Sequence, residues 1–166
     1  MILLSAVIKL TDRSERTEEL GCGLKIYVSQ AHVFTSDALL LAAFSSPKRK
    51  DKVCDMGAGC GIIPLIWYRD FTPAENIGIE ISDNAAALFN KSIELNRLKG
   101  KIRCVNADIR DLKNILPAGY FDVVSMNPPY KKFGAGIVNE EEDYKNARHE
   151  YTCTLDDAAS AASRLL

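Results

Sequence analysis

The sequence lacks a strong excess of charge and lacks an apolar run long enough to cross a membrane. Its 21 basic and 22 acidic residues give a formal net charge of −1, so any nucleic-acid binding must depend on local basic patches. The apolar opening, residues 1–8, is too short to span a bilayer and has no basic lead like that of a signal peptide. We therefore expect a cytoplasmic protein without membrane contact.

The sequence also lacks a pattern for metal binding or disulfide bonding. Its five cysteines contain no C-x-x-C pair and show no ligand spacing with the two histidines. Cys54 and Cys104 lie in apolar, strand-like runs, where cysteine usually acts as a small hydrophobic residue. An odd cysteine count without a disulfide framework indicates a reducing compartment. We expect no bound metal.

From residue 52 onward, strand-like and helix-like patterns alternate. The apolar runs that predict strands cover residues 52–56, 76–81, 102–107 and 121–126. Helical patterns cover residues 62–68, a stretch from a cap at Ser82 or Asp83 to Lys99, and a last segment that begins after Thr154. This alternation predicts an α/β fold with a parallel, doubly wound sheet.

The first 50 residues have a different pattern. Residues 24–28 and 31–34 flank Ser29 and Gln30 and predict a small β-hairpin. A capped helix is expected over residues 38–44, and the charge-rich residues 11–20 predict a solvated helix or arm. Residues 1–50 are thus interpreted as an arm, hairpin and helix packed on a core domain, residues 51–166. Trp67 and the leucines at 39–41 are expected in the core.

A glycine-rich turn, Asp55-x-Gly57-x-Gly59-x-Gly61, follows the first core strand. Glycines permit a tight turn and a close approach of a ligand to the backbone. The G-x-G-x-G spacing differs from the dinucleotide pattern, and the Asp55 carboxylate would repel a pyrophosphate but suits an ammonium group. A nicotinamide-dependent oxidoreductase is therefore disfavoured.

Acidic residues end the next two strands. Glu80 lies about twenty residues beyond the glycine turn, where a carboxylate accepts both hydroxyls of a ribose. Asp108 ends the third strand and is placed to accept from an adenine amino group. Sites for an ammonium, a ribose and an adenine on successive strand ends predict S-adenosyl-L-methionine as the cofactor.

The fourth strand ends in Asn127-Pro128-Pro129-Tyr130. Proline has no N–H to donate, and its ring fixes φ. The backbone carbonyls of the two prolines therefore point outward in a set direction. These carbonyls and the Asn127 side-chain carbonyl form a cluster of hydrogen-bond acceptors, and the Tyr130 ring adds a flat stacking surface beside it. Such an arrangement suits a planar group that carries an NH2. We assign Asn127, Pro128 and Tyr130 to catalysis, and Asn127 also to the cofactor site.

These motifs resemble those of class I S-adenosylmethionine-dependent methyltransferases that act on planar nitrogens. Residues 23–44 and 147–157 are similar to the tRNA1(Val) adenine-N6 methyltransferases, which modify the adenine just 3′ of the anticodon. The resemblance covers residues 20–166 and implies a Rossmann-like sheet and a tRNA partner. The family continues with three more strands that this sequence does not contain. We therefore expect an incomplete sheet of four parallel strands, which leaves the edge of the fourth strand open to self-association.

Further residues are candidates for substrate and cofactor contacts. Lys131 and Lys132 follow Tyr130 and are placed to hold phosphates beside a flipped base, while Arg148 and His149 contact RNA or shape the pocket. Asp37 either lines the methionine end of the cofactor site or only caps its helix.

Two other functions stay open from the sequence. A protein-glutamine N5 methyltransferase would present the same planar NH2 to the Asn-Pro-Pro-Tyr cluster. A truncated, inactive module that binds the cofactor or RNA would retain the cofactor residues without turnover.

Overall fold

An antiparallel hairpin precedes the central sheet in the computed structural model, which describes residues 15–128 and 153–166. Strand β1 (Arg16–Gly21) pairs with β2 (Leu24–Val28). The turn residues Cys22 and Gly23 both have positive φ, at 53° and 78°, as the tightest hairpin turns require. The prediction for β2 is confirmed, whereas its predicted partner is wrong. Residues 31–34 form no strand, because β2 pairs with the segment before it.

The predicted helix or arm at residues 11–20 is also wrong over the part that the structure describes, since residues 16–20 belong to β1. Among the residues of β1 only Leu20 is buried, while the charged Arg16 and Glu19 are exposed and Glu18 is partly exposed. Strand pairing uses backbone groups, so charged side chains that reach solvent do not prevent it. The charged residues of this segment therefore led to the wrong prediction of a solvated helix or arm where part of a strand lies.

The central sheet is parallel and has the order β5-β4-β3-β6. Its strands are β3 (Lys52–Met56), β4 (Glu75–Glu80), β5 (Arg103–Asn106) and β6 (Val123–Met126). The bounds of β3 are as predicted, β4 and β5 differ from prediction by one residue at each end, and β6 begins two residues later than predicted. In the described part of the chain β6 pairs only with β3, so its outer edge has no strand beside it. The expected α/β fold is confirmed.

Helices cover both faces of this sheet. They are α1 (Ser36–Ser45), α2 (Ile62–Asp70), α3 (Asp83–Leu95), a 3₁₀ helix (Ile109–Asn114) and α4 (Leu155–Leu165). Ser82 caps α3 and Thr154 caps α4, as predicted, the latter through a capping box with Asp157. None of the described helices has the length and apolar character needed to cross a membrane.

The end of α3 differs from prediction, because the helix stops at Leu95 and not at Lys99. Its C-cap Asn96 turns its amide toward β2, where Oδ1 accepts from Lys25 N at 2.9 Å and Nδ2 donates to Lys25 O at 2.6 Å. One turn earlier, Ser92 Oγ accepts from Tyr27 N at 2.8 Å. Two side chains of α3 therefore bind the backbone of β2 as a neighbouring strand would.

Two apolar cores flank the sheet. The hairpin, α1, α2 and α3 form one, and the 3₁₀ helix and α4 form the other. Trp67 is fully buried, as predicted, and its Nε1 donates to Ser45 Oγ at 2.8 Å. The expectation that Leu39 and Leu40 are buried is wrong, because they are 38% and 69% exposed. Helix α1 instead buries the small residues Ala38 and Ala42, and of its three leucines only Leu41 packs, partly buried, against the first core.

Candidate functional site

A cleft of about 620 Å³ lies at the carboxyl ends of the four parallel strands. This edge of an open α/β sheet is where such folds bind ligands. The loops that follow β3, β4, β5 and β6 form its floor, and residues 31–35 with the start of α1 form one wall. The predicted site residues that line it are Asp37, Asp55, Gly57, Gly59, Glu80, Asp108, Asn127 and Pro128.

The glycine loop is built from three residues in the left-handed region. Gly57, Gly59 and Gly61 have φ values of 70°, 55° and 91°, which favour glycine. A Cβ on Gly57 or Gly59 would meet no atom of residues 15–128 or 153–166 within 4 Å, so these residues leave the backbone there open to a ligand. A Cβ on Gly61 would lie 2.0 Å from Phe89 Cδ2. Gly61 is not part of the cleft lining and instead lets α2 begin against α3.

Glu80, the last residue of β4, connects the glycine loop to the turn before α3. Its Oε2 accepts from Gly59 N at 2.7 Å and its Oε1 accepts from Ser82 N at 2.8 Å. Each carboxylate oxygen has two acceptor positions, so both oxygens keep one for a ligand. Glu80 is therefore held in place by the backbone while it lines the cleft.

Asp55 is 1% exposed, and its Oδ1 accepts from Ser125 Oγ on β6 at 2.5 Å. Burial raises the pKa of the Asp55 carboxyl to about 7, the Ser125 hydrogen bond opposes this rise, and the negative charge of Glu80 adds to it. The sequence did not point to Ser125, because an apolar run with one serine reads as an ordinary strand interior.

Asp108 caps the 3₁₀ helix and pairs with Arg110. Its Oδ1 accepts from Arg110 N and from Arg110 Nε, both at 2.9 Å. The hydrogen bond from the Arg110 side chain holds the pKa of Asp108 below its ordinary value. Arg110 was not predicted as a site residue, and its only signal in the sequence is the Asp-x-Arg spacing at a strand end.

Of the remaining predicted site residues, some line the cleft and others lie outside the described part of the chain. Asn127 and Pro128 line the cleft directly after β6, and Asp37 lines it from the first turn of α1. The structure adds lining residues that the sequence did not indicate, including His32, Phe34 and Cys60. Tyr130, Lys131, Lys132, Arg148 and His149 lie outside the described residues.

The side chains that line the cleft include several acids, which are spread along it and do not form a cluster. Four carboxylates line it, from Asp37, Asp55, Glu80 and Asp108. Within residues 15–128 and 153–166, no three acidic, histidine or cysteine side chains are grouped as metal ligands would be. Separate carboxylates along an open backbone loop suit an extended organic ligand that has a positive charge and several hydrogen-bond donors.

Comparison with known proteins agrees with this geometry. Residues 25–142 match the family model described as "Methyltransferase small domain". The chain is similar to the tRNA1(Val) (adenine(37)-N6)-methyltransferase of Photobacterium profundum, with 27% identity across 94% of this chain and 62% of the relative. It is 30% identical to the Shewanella sp. (strain W3-18-1) protein of the same name, across 90% of this chain and 58% of that one. The chain thus spans about three fifths of these relatives.

Solved structures share the fold at low sequence identity. A geranyl diphosphate methyltransferase in complex with GPP and sinefungin superimposes with a TM-score of 0.59 at 17% identity, over 79% of this chain and 41% of that one. M. jannaschii TYW2 in complex with AdoMet gives a TM-score of 0.56 at 21% identity, over 67% and 50%. The family match over residues 25–142 includes the glycine loop and all four strand ends that line the cleft. The chain belongs to the methyltransferase small domain family.

Proposed function

We propose that this chain binds S-adenosyl-L-methionine and methylates the N6 amine of an adenine in tRNA. The proposal is carried by the gathering of Asp55, Glu80, Asp108 and Asn127 at one cleft, each at or beside the end of a different parallel strand. The names of the two bacterial relatives support tRNA as the partner. A tRNA substrate in turn supports a cytoplasmic location.

The lining residues fit this cofactor. Asp55, beside the open backbone of Gly57 and Gly59, would hold the methionine ammonium group, with Asp37 near the same end. Glu80 would accept from the ribose hydroxyls, and Asp108 from the adenine amino group. When bound, the cofactor supplies an electrophilic methyl group on a positively charged sulfur, which an acidic cleft favours.

Asn127 and Pro128 prepare the target amine. The lone pair of an adenine amine is delocalised into the ring, so the nitrogen is a poor nucleophile. The Asn127 side-chain carbonyl and the Pro128 backbone carbonyl accept its two N–H groups and localise the lone pair on nitrogen. The rate gain then comes from positioning and electrostatics, without a strong base.

The substrate base must leave its stack to reach the cleft. Tyr130 would stack on the flipped base, a contact worth about 1–3 kcal/mol. Lys131 and Lys132 would hold the neighbouring phosphates, and Arg148 and His149 would contact the RNA. Lys131, Lys132, Arg148 and His149 are thus proposed for substrate binding, with Arg148 and His149 in contact with RNA or shaping the pocket, whereas Asn127 takes part in catalysis.

A transfer assay with a labelled methyl group tests the proposal. We expect label in bulk tRNA, as N6-methyladenine, and none in release-factor protein. Asn127→Ala should lower the single-turnover rate by about 10²-fold, as the loss of one well-placed polar group does elsewhere. Asn114→Ala, an exposed asparagine of the 3₁₀ helix, is the matched control and should leave the rate unchanged. Label in glutamine, or cofactor binding without any transfer, would contradict the proposal.

We also propose that the chain self-associates through the outer edge of β6. The backbone groups on that edge have no partner strand among the described residues. An unpaired strand edge is a template for pairing with another chain.

A further inference from the structure

Asp55 lies in register with two neighbours on the adjacent strands. Its partner on β4 is Gly78 and its partner on β6 is Ser125. Residues in register on parallel strands project from the same face of the sheet. Gly78 has no side chain to offer, so Ser125 supplies the hydrogen bond that the Asp55 carboxylate accepts, at 2.5 Å.

From this arrangement we infer that Ser125 is a positioning residue of the cofactor site, one that holds the Asp55 carboxylate toward the ammonium group of S-adenosyl-L-methionine. The inference rests on the proposed function. Ser125 is 6% exposed and does not belong to the residues that line the cleft, whereas Asp55 does. Ser125 therefore acts on the ligand only through Asp55.

The surroundings of Asp55 make this hydrogen bond important. Its side chain shares a sheet face with Val53, which belongs to the apolar core under α1 and α2. The other titratable groups that line the cleft are Glu80 from β4, Asp37 from α1, Asp108 from the loop after β5, His32 from the segment before α1, Cys60 from the glycine loop, and Cys153. Three of them are carboxylic acids.

Burial and the charge of Glu80 both favour the protonated form of Asp55, and the Ser125 hydroxyl opposes them. A protonated carboxyl cannot form an ion pair with an ammonium group. Removing the hydroxyl should raise the pKa of Asp55 further above its present value of about 7. Cofactor binding near pH 7 should then weaken, and recover at higher pH where the carboxyl ionises.

Calorimetric titration of S-adenosyl-L-methionine from pH 6 to pH 9 tests the inference. For Ser125→Ala we expect, relative to the original chain, an affinity about fivefold lower at pH 7, and an upward shift of about one pH unit in the rise of affinity. The two proteins should converge near pH 9. Ser125→Thr retains the hydroxyl and suits a strand, so it should restore the original profile.

Ser92→Ala is the matched control, because Ser92 is a fully buried serine that faces β2, away from the cleft. It should lower stability without changing the pH profile of binding. A second readout needs no ligand: NMR titration of the Asp55 carboxyl should give a higher pKa in Ser125→Ala than in the original chain.

The outcomes separate the two claims. An equal loss of affinity at every pH, or an unchanged profile, would overturn the role of Ser125 while the proposed cofactor stands. Failure of the original chain to bind S-adenosyl-L-methionine at any pH would overturn the proposed function itself, whatever the carboxyl titration shows.

Discussion

At the residue scale, the glycines of the loop after β3 serve different purposes. All three have positive φ, but space is restricted only at Gly61, where Phe89 of α3 fills the position that a Cβ would take. Gly57 and Gly59 leave their backbone open toward the cleft. One motif in the sequence therefore combines a ligand-facing surface with a helix-packing contact.

Gly61→Ala should destabilise the chain much more than Gly100→Ala. Both positions have positive φ, at 91° and 79°, but a Cβ at Gly100 meets no atom within 4 Å. The φ strain costs about 1–2 kcal/mol at either site, and overpacking against Phe89 adds about 1–3 kcal/mol at Gly61 only. Urea unfolding measures both free energies. Equal losses in the two variants would show that Phe89 moves aside freely.

The site residues at the strand ends could be predicted from the sequence, whereas Ser125, inside a strand, could not. Asp55, Glu80, Asp108 and Asn127 follow from a simple rule, because the carboxyl ends of parallel strands share one edge. Ser125 could not be found this way, since its role depends on which residue of β3 stands beside it. That register is set by the pairing of strands about 70 positions apart.

At the element scale, the hairpin depends on α3 for part of its hydrogen bonding. Among the described residues no third strand pairs with the outer edge of β2, and Asn96 and Ser92 bind its backbone there. This contact explains one error of prediction, because the helix ends early where Asn96 turns toward β2. The other error has a separate cause, since the strand that pairs with β2 lies in a segment whose charges suggest solvent exposure.

Asn96→Ala should therefore loosen the hairpin. It leaves the N–H and C=O of Lys25 without their side-chain partner, at a cost of about 1–3 kcal/mol. We expect a lower free energy of unfolding and faster hydrogen exchange at the Lys25 amide. Asn90→Ala is the control, because the Asn90 amide donates to Ala86 O within the same helix. Comparable exchange at Lys25 in both variants would contradict the role of Asn96.

At the scale of the whole molecule, the helix that contacts the strand with the open edge carries exposed apolar side chains. Helix α1 packs next to β6 and exposes Leu40 and Phe44, which are 69% and 87% accessible. These two residues are one helical turn apart and so lie on the same side of α1. Exposed apolar groups next to unpaired backbone groups favour association between copies.

Replacing Leu40 and Phe44 together by lysine should reduce self-association. Both side chains are exposed, so the free energy of unfolding should change by no more than about 0.5 kcal/mol for each substitution. Sedimentation over a concentration series should show assemblies for the original chain and monomers for the variant. Ile115→Lys, at a 45% exposed position after the 3₁₀ helix, should leave the assemblies intact. A monomeric original chain at every concentration would refute the proposal.

The two backbone hydrogen bonds to Glu80 have a consequence for the proposed binding of a ribose at this side chain. The rotamer of this side chain is already fixed when the chain folds, so its conformational entropy is not lost again when a nucleoside arrives. Under the proposed function, a sugar with both hydroxyls in place would meet two preset acceptors, whereas a deoxy analogue would leave one of them without a donor. The preference for one sugar over the other would then be set when the chain folds, before either sugar binds.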